Sequence, residues 1–316
     1  MALTITTWNV QNFRQDDPVF DDKLDFVAAI IQALNSDVVA LQEILDPGAL
    51  QALATRLGFQ HVAAPPDSRG IRVAFLTRDA LTAGPVTITQ FRLPPGVVVN
   101  EFGSGGAVQN VPAFPRPGLQ ITVTHNGVPV DVITAHLKSK LLTFGGNFST
   151  NDETLRAHTA YFALQRRAAE ANGIRDHVSS LLTANRNVIV LGDLNDGTEA
   201  ATTEMFYGPP GSQPRGPEDA THASGAFQLF DQHDDQRLFN VTKLVPLPIR
   251  WSRKHNGQPE LLDHILASHG LMPREDGLRQ VPAMTIINED TPNLIGPHPT
   301  AGGVIPDHAP VTAVFV

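Results

Sequence analysis

Leu119-Gln120-Ile121-Thr122-Val123-Thr124 and Val128-Pro129-Val130-Asp131-Val132-Ile133-Thr134-Ala135 stand on either side of Asn126-Gly127. Asn-Gly supplies the positive φ angles that a two-residue turn needs, so this stretch predicts a β-hairpin. An antiparallel pair excludes an all-parallel sheet. Upstream, Leu3 to Val10 alternates apolar and polar residues like a half-buried strand, and Phe20, Leu24, Val27, Ile30, Ile31 and Leu34 recur at helical spacing. Val38 to Leu41 and Ile71 to Leu76 predict buried strands, with a helix over 48–57 between them. Downstream, a long helical pattern runs from Asp152 to about Ala184, with a break or kink expected at Asn172-Gly173, and leads into a strand over Asn187 to Leu191. Further short strands are expected at 239–245, 261–267, 281–287 and 309–316. The stretches 92–118, 208–217 and 288–308 are rich in Pro and Gly and predict loops. No composition break resembles a linker, so residues 1–316 are expected to form one α/β domain of two packed sheets flanked by helices.

Composition narrows the function. With 23 Lys and Arg against 32 Asp and Glu, the formal charge is -9, and no global basic field exists to hold a polyanion. A phosphate-rich substrate must therefore be met locally, by a few cations or a metal. The absence of cysteine excludes a disulfide framework, a zinc–cysteine site and a thiol nucleophile. There is no apolar run of about 18 residues, and Met1-Ala2-Leu3-Thr4 leads directly into a strand pattern. A soluble chain without an export leader is expected.

Polar residues interrupt the apolar strands at their ends, where a carboxylate needs a cation or hydrogen bonds to offset its desolvation. Asn9 and Asn12 follow the first strand, Glu43 the second, His136 the hairpin, and Asp193 and Asn195 the strand ending in Leu191; Asp307-His308 precedes the last. Singly, Asn9 or Glu43 is as well explained by a turn or a cap. Together they point to a reaction centre. A magnesium-type ion takes oxygen ligands, which Glu43, Asp307 and the amide of Asn9 supply. Phosphodiester hydrolysis also needs an activated water, a donor for the leaving oxygen and positive charge on the phosphoryl oxygens, which His308, His136, Asp193 and Asn195 provide between them.

Thr7-Trp8-Asn9-Val10-Gln11-Asn12, Leu41-Gln42-Glu43, Ala135-His136-Leu137-Lys138, Gly192-Asp193-Leu194-Asn195, Leu262-Asp263-His264-Ile265-Leu266 and Asp307-His308-Ala309-Pro310-Val311 occur in one order. That order resembles the endonuclease/exonuclease/phosphatase superfamily over residues 4–316. The resemblance implies a four-layer α/β sandwich, two mixed sheets face to face with helices outside. It implies Glu43 as the main metal carboxylate, Asn9 its companion and Asp307 a further acidic ligand, with Mg2+ bound, or Mn2+ or Ca2+. Asp193 and Asn195 would then position or deprotonate water and hold the phosphate. Asp263 would pair with His308, facing the phosphoryl oxygen, and His136 would be a general acid. Two departures stand out. Where one branch of the family has Asp two residues after the first Asn, this chain has Gln11. Where another has a Glu soon after an Arg, Phe114-Pro115-Arg116-Pro117 has none, leaving His136 without that partner.

Other readings explain fewer residues. Gly192-Asp193-Leu194-Asn195-Asp196 is similar to a phrase of calcineurin-like phosphatases, whose other motifs are missing. A non-catalytic phosphate-binding scaffold would have lost one of Glu43, Asp193, Asp263 or His308, and all four are present. Between Gln236 and Pro259 there is no acid, but there are Arg237, Lys243, Arg250, Trp251, Arg253 and Lys254. Such a loop suits phosphate contact and base stacking, so Arg250 and Trp251, with Arg116 and Lys138, are expected to bind substrate. A nuclease or nucleotide phosphodiesterase is therefore expected ahead of a phosphatase or a lipid phosphodiesterase, with nucleic acid or a nucleotide as the phosphodiester partner. Phe144-Gly145-Gly146-Asn147-Phe148 is the one aromatic loop tip that would suit a membrane or a lid.

Overall fold

The computed structural model describes residues 2–78, 96–102, 108–111, 116–144, 147–208, 236–272, 282–290 and 303–316. Six strands form one mixed sheet: β1 (Leu3–Phe13), β2 (Val38–Ile44), β3 (Gln60–Ala63), β4 (Arg72–Thr77), β14 (Ala283–Ile286) and β15 (Val311–Phe315), in the order β14-β15-β1-β2-β4-β3. Five form the other: β7 (Leu119–His125), β8 (Val128–His136), β9 (Asn187–Asp193), β10 (Leu238–Asn240) and β13 (Asp263–Ser268), in the order β10-β13-β9-β8-β7. Two hairpins stand apart, β5 (Val99–Phe102) with β6 (Val108–Val111) and β11 (Arg253–His255) with β12 (Gln258–Glu260). The helices are α1 (Phe20–Ala33), α2 (Pro47–Leu57), α3 (Glu153–Thr183) and α4 (Ala201–Tyr207).

Strand alternation sorts the apolar residues into three cores and hence four layers. Leu3, Ile5, Val38 and Phe75 face Ile121, Val132, Leu191 and Ile265 between the sheets. On its other side the first sheet turns Val10, Leu41 and Leu76 toward Val27, Ile31, Leu50 and Leu53 of α1 and α2. The second sheet turns Ile133, Val188, Val190 and Leu266 toward Ala171, Ile174, Val178 and Leu182 of α3. Central strands covered on both faces become continuous buried runs, as β1 and β9 are. Asp46 caps α2, accepting from the Gly48 amide at 2.8 Å ahead of Pro47, and Asp152 caps α3 through the Leu155 amide at 2.9 Å.

The hairpin predicted at 119–135 is β7 and β8, with Asn126 at φ 49° and Gly127 at φ 79°. Three expectations change. The long helix runs unbroken through Asn172-Gly173, because Gly173 lies on its buried face beside Ala171 and Ile174 and packing offsets the weak helix propensity of glycine. The strand expected over 239–245 stops at Asn240 and gives way to 3-10 turns at Val241–Leu244 and Leu247–Ile249, where Thr242 turns its hydroxyl to accept the Ile265 amide. The stretch 92–118 holds β5 and β6, whereas 209–217 and 291–302 lie outside the described residues. No described helix is long and apolar enough to cross a membrane.

Strand direction decides where polar residues meet. β1 runs parallel to β2, and β8 parallel to β9, while β13 and β15 are antiparallel to their neighbours. The last residues of β1, β2, β8 and β9 therefore share one end of the sandwich with the first residue of β13 and the segment entering β15. That end gathers Asn9, Glu43, His136, Asp193, Asp263 and His308.

Candidate active site

Two bulges shape the first wall. The β1–β2 register slips between Asn9 and Phe13, and Gln11 and Asn12 each take φ 50°, while Glu43 takes φ 61°. Left-handed non-glycine residues cost roughly 1–3 kcal/mol each, and they persist where surrounding bonds over-determine them. Here those bonds are visible. The Asn12 amide donates to Glu43 Oε2 at 3.0 Å, the Gln11 amide to Asn9 Oδ1 at 3.0 Å, and the buried Lys23 of α1 donates its ammonium to the Gln11 carbonyl at 2.5 Å. Asn9 Nδ2 then reaches both Glu43 Oε1 (3.2 Å) and Asp193 Oδ2 (3.0 Å), joining the two sheets. Deeper in the sandwich, Gln42 Nε2 donates to Thr7 Oγ1 and to Thr134 Oγ1, both at 3.1 Å.

Glycine sets the second wall. Gly192 has φ 144°, and a Cβ there would lie 2.0 Å from the Ala135 carbonyl oxygen. Only glycine lets β9 press against β8 at this point, which pairs Asp193 with His136 in the ladder. Asp193 Oδ1 accepts from the Asn195 amide at 2.9 Å, and Asn195 Nδ2 donates to the Leu137 carbonyl at 3.0 Å. Asp193 Oδ2 also lies 3.5 Å from His136 Nε2 and 3.9 Å from His308 Nε2.

His308 is clamped from three directions. Its Nδ1 donates to Asp263 Oδ2 at 2.7 Å, its carbonyl accepts from Trp8 Nε1 at 2.8 Å, and the Ala309 amide donates to the Ser252 carbonyl at 2.6 Å. Ser252 Oγ accepts the amides of Leu262 and Asp263, so one hydroxyl seats both partners.

The two histidines differ in charge, His308 being cationic and His136 neutral. Burial opposes charge on His308, yet the carboxylates of Asp263 and Asp193 outweigh it and push its pKa up to about 10. Burial holds His136 neutral, well below the usual imidazole range, and Arg116 and His308 push the same way. Its Nδ1 is buried with no hydrogen-bond partner among the described residues. Asp193 is raised by burial to about 7, with His308 pulling it down and Asp263 pushing it further up. A carboxylate near neutrality beside an imidazolium is suited to proton transfer.

A divalent ion fits these residues. Asp193, Asp263, Glu43 and the Asn9 amide offer oxygens, and Asp263 Oδ1 is buried and unpartnered among the described residues; ligand atoms of Asp193, Asp263 and His308 lie within 4.8 Å of one another, although a charged His308 has no lone pair for an ion. Glu43, half-buried at its strand end, already faces the Asn9 amide. Asp307, expected as a further ligand, is exposed and has Arg253 Nη2 at 3.2 Å.

The expected substrate contacts turn inward. Arg116 is buried, pairs with Asp67 at 3.0 Å and donates to the His136 carbonyl at 3.2 Å. Lys138 donates to the carbonyls of Ser139 and Leu141, and burial, then Arg166, lower its pKa to about 8. Arg250 donates to the Val245 carbonyl at 2.5 Å. Trp251 is buried, its Nε1 donates to Asp290 Oδ2 at 2.9 Å, and the Lys254 ammonium lies 4.3 Å from its ring centroid. Lys23, Gln42 and Ser252 were missed. Lys23 alone left a signal, as a cation on the apolar stripe of α1.

Residues 6–284 match the Endonuclease/Exonuclease/phosphatase family. No curated protein sequence matches the chain. Among solved structures it is similar to truncated Caenorhabditis elegans TDP2, with 14% identity and TM-score 0.58 over 99% of this chain and 97% of that one. It is also similar to the human Nocturnin catalytic domain with bound sulfate (15%, TM-score 0.57, covering 100% and 94%) and to D. rerio TDP2 complexed with single strand DNA product (16%, 0.58, 100% and 99%). At these identities the likeness shows a shared fold.

Proposed function

The chain belongs to the endonuclease/exonuclease/phosphatase family, and from that premise we propose that it is a divalent-metal-dependent phosphodiester hydrolase acting on nucleic acid or a nucleotide. The observation that carries this reading is the unbroken polar chain Glu43–Asn9–Asp193, with His308–Asp263 beside it, at one end of the sandwich. Glu43 and Asn9 would hold the ion, magnesium in the first instance. When bound, it supplies positive charge for the phosphoryl oxygens and lowers the pKa of a coordinated water. Asp193, poised near neutrality, takes the proton of the attacking water, while the Asn9 and Asn195 bonds keep its carboxylate aimed. His308, kept charged by Asp263, presents Nε2 to a phosphoryl oxygen. His136 is neutral and offers the leaving oxygen a hydrogen bond, which makes it a weaker acid than the sequence implied. The similarity to a TDP2 bound to single-stranded DNA favours nucleic acid over a lipid. The test is a panel of single-stranded DNA, duplex DNA, RNA, sphingomyelin and bis-p-nitrophenyl phosphate, with Mg2+, Mn2+, Ca2+ or EDTA. Metal-dependent cleavage of a polynucleotide is the expected result. Turnover of sphingomyelin alone, or full activity after exhaustive chelation, overturns the proposal.

A further inference from the structure

The basic stretch 237–254 contributes little open charge. Lys243 pairs with Glu199 at 2.9 Å, Arg250 bonds a main-chain carbonyl, and Lys254 is held by Glu289, Asp290 and the Trp251 ring. Arg253 differs. Its backbone bridges His308, so it stands one strand spacing, about 4.8 Å, from the imidazolium residue. Its guanidinium is part-exposed and has Asp307 Oδ2 at 3.2 Å from Nη2, and its Nε, itself buried, has no hydrogen-bond partner among the described residues. A guanidinium carries five donors in a planar fork, so one carboxylate on one edge leaves most of them for a second anion. Asp307 also lies within electrostatic reach of Lys23, as Glu43 does, which puts the Arg253–Asp307 pair beside the residues of the site.

Resting on the hydrolase reading above, we propose that Arg253 binds a second phosphate of the substrate, the one adjacent to the reacting diester, and that Asp307 is the positioning residue that holds the guanidinium for it. His308 serves the reacting phosphate, and Arg253 the neighbour. This defines the substrate class as a diester bearing a further phosphate, whether a terminal monoester or the next link of a polynucleotide. A charge-assisted fork on phosphate discriminates strongly, because its donors lose a partner when the phosphate is absent.

The test compares kcat/KM on thymidylyl-thymidine (TpT) with that on its 5'-phosphorylated (pTpT), 3'-phosphorylated (TpTp) and chain-extended (TpTpT) forms, in the full chain with Mg2+ or Mn2+. The added phosphate at one end should raise kcat/KM by about tenfold, equivalent to ~1.4 kcal/mol. Arg253→Ala should erase that preference, Arg253→Lys should keep part of it, and Asp307→Asn should weaken it, the double variant being no worse than Arg253→Ala alone. The preference is a ratio within each variant, so partial loss of folded protein cancels. Preference for pTpT or TpTp without TpTpT assigns the site to a terminal phosphate; preference for TpTpT assigns it to the polymer backbone. A preference that survives Arg253→Ala overturns the proposal. So does an Asp307→Asn variant that keeps the preference while needing tenfold more metal, which makes Asp307 a ligand. Wild-type protein that cleaves bis-p-nitrophenyl phosphate but ignores the added phosphate overturns this inference and leaves the hydrolase reading standing. Cleavage of no diester under any metal overturns both.

Discussion

Removing Asp263 or His308 tests the centre most directly, because both are buried, at 0% and 5% exposure, and their bond is 2.7 Å. Asp263→Ala leaves an imidazole whose charge burial opposes, with Asp193 and Asp307 left to favour it, and His308→Ala leaves a buried carboxylate with one oxygen already unpartnered. Breaking a buried pair from one side typically costs ~3–5 kcal/mol, whereas removing both charges leaves only lost packing. The double variant should therefore be more stable than the sum of the singles by ~2 kcal/mol or more, read from urea unfolding. Asp263→Asn and His308→Gln give the same cycle with smaller losses if the alanine variants do not fold. Activity should follow the same logic, each single variant losing roughly 100–1000-fold in kcat and the double scarcely more. Linkage adds a sign. The folded pKa of His308 is raised from 6.5 to about 10, so its contribution is fully present below 6.5 and is lost as pH rises through about 10. Unfolding free energy should fall by a few kcal/mol across that window, and Asp263→Asn should flatten the fall. Additive stabilities together with multiplicative rate losses would refute the pairing.

Three further outcomes follow from the geometry. EDTA should abolish hydrolysis and Mg2+ or Mn2+ restore it, and Glu43→Ala should lower kcat/KM by ~100-fold while raising the metal concentration for half-maximal rate. Lys23→Met should cost about tenfold in kcat although Lys23 meets no substrate, because the Gln11–Asn12 turn that aims Asn9 and Glu43 loses its ammonium tie; wild-type rates would show that the turn holds itself. Gly192→Ala should destabilise by more than ~3 kcal/mol, since its Cβ meets backbone at 2.0 Å with φ at 144°; an unchanged Tm contradicts the close β8–β9 approach.

What was legible in the sequence was whatever repeats along the chain. The period of 2 in Leu119 to Ala135 and the Asn126-Gly127 turn determine the hairpin locally, and the helical stripe over residues 20–34 needs no tertiary information. Strand ends were legible for the same reason: Asn9, Glu43, His136 and Asp193 announce themselves by breaking apolar runs. Local context hid the rest. Asn172-Gly173 looks like a helix stop until Gly173 is seen packed beside Ala171 and Ile174, and residues 241–245 look like a strand until Thr242 is seen bonded by its hydroxyl to the Ile265 amide within a 3-10 turn.

The basic stretch shows why charge composition misleads where strand ends do not. A residue that ends a parallel strand has its position fixed by the ladder, so Asp193 opposite His136 follows from register. A cation in a loop has no such constraint, and its long side chain goes to whichever acid or carbonyl folds near it. Glu199, Glu289 and Asp290 lie outside the basic stretch, so a window without acids said nothing about them. Trp251, expected to stack on a base, is buried beneath Lys254 and bonded to Asp290. Arg253 is placed as well, because it pairs with Glu260 in the β11–β12 hairpin and bridges His308. The register that made the strand-end acids readable thus also places Arg253 beside the His308 segment.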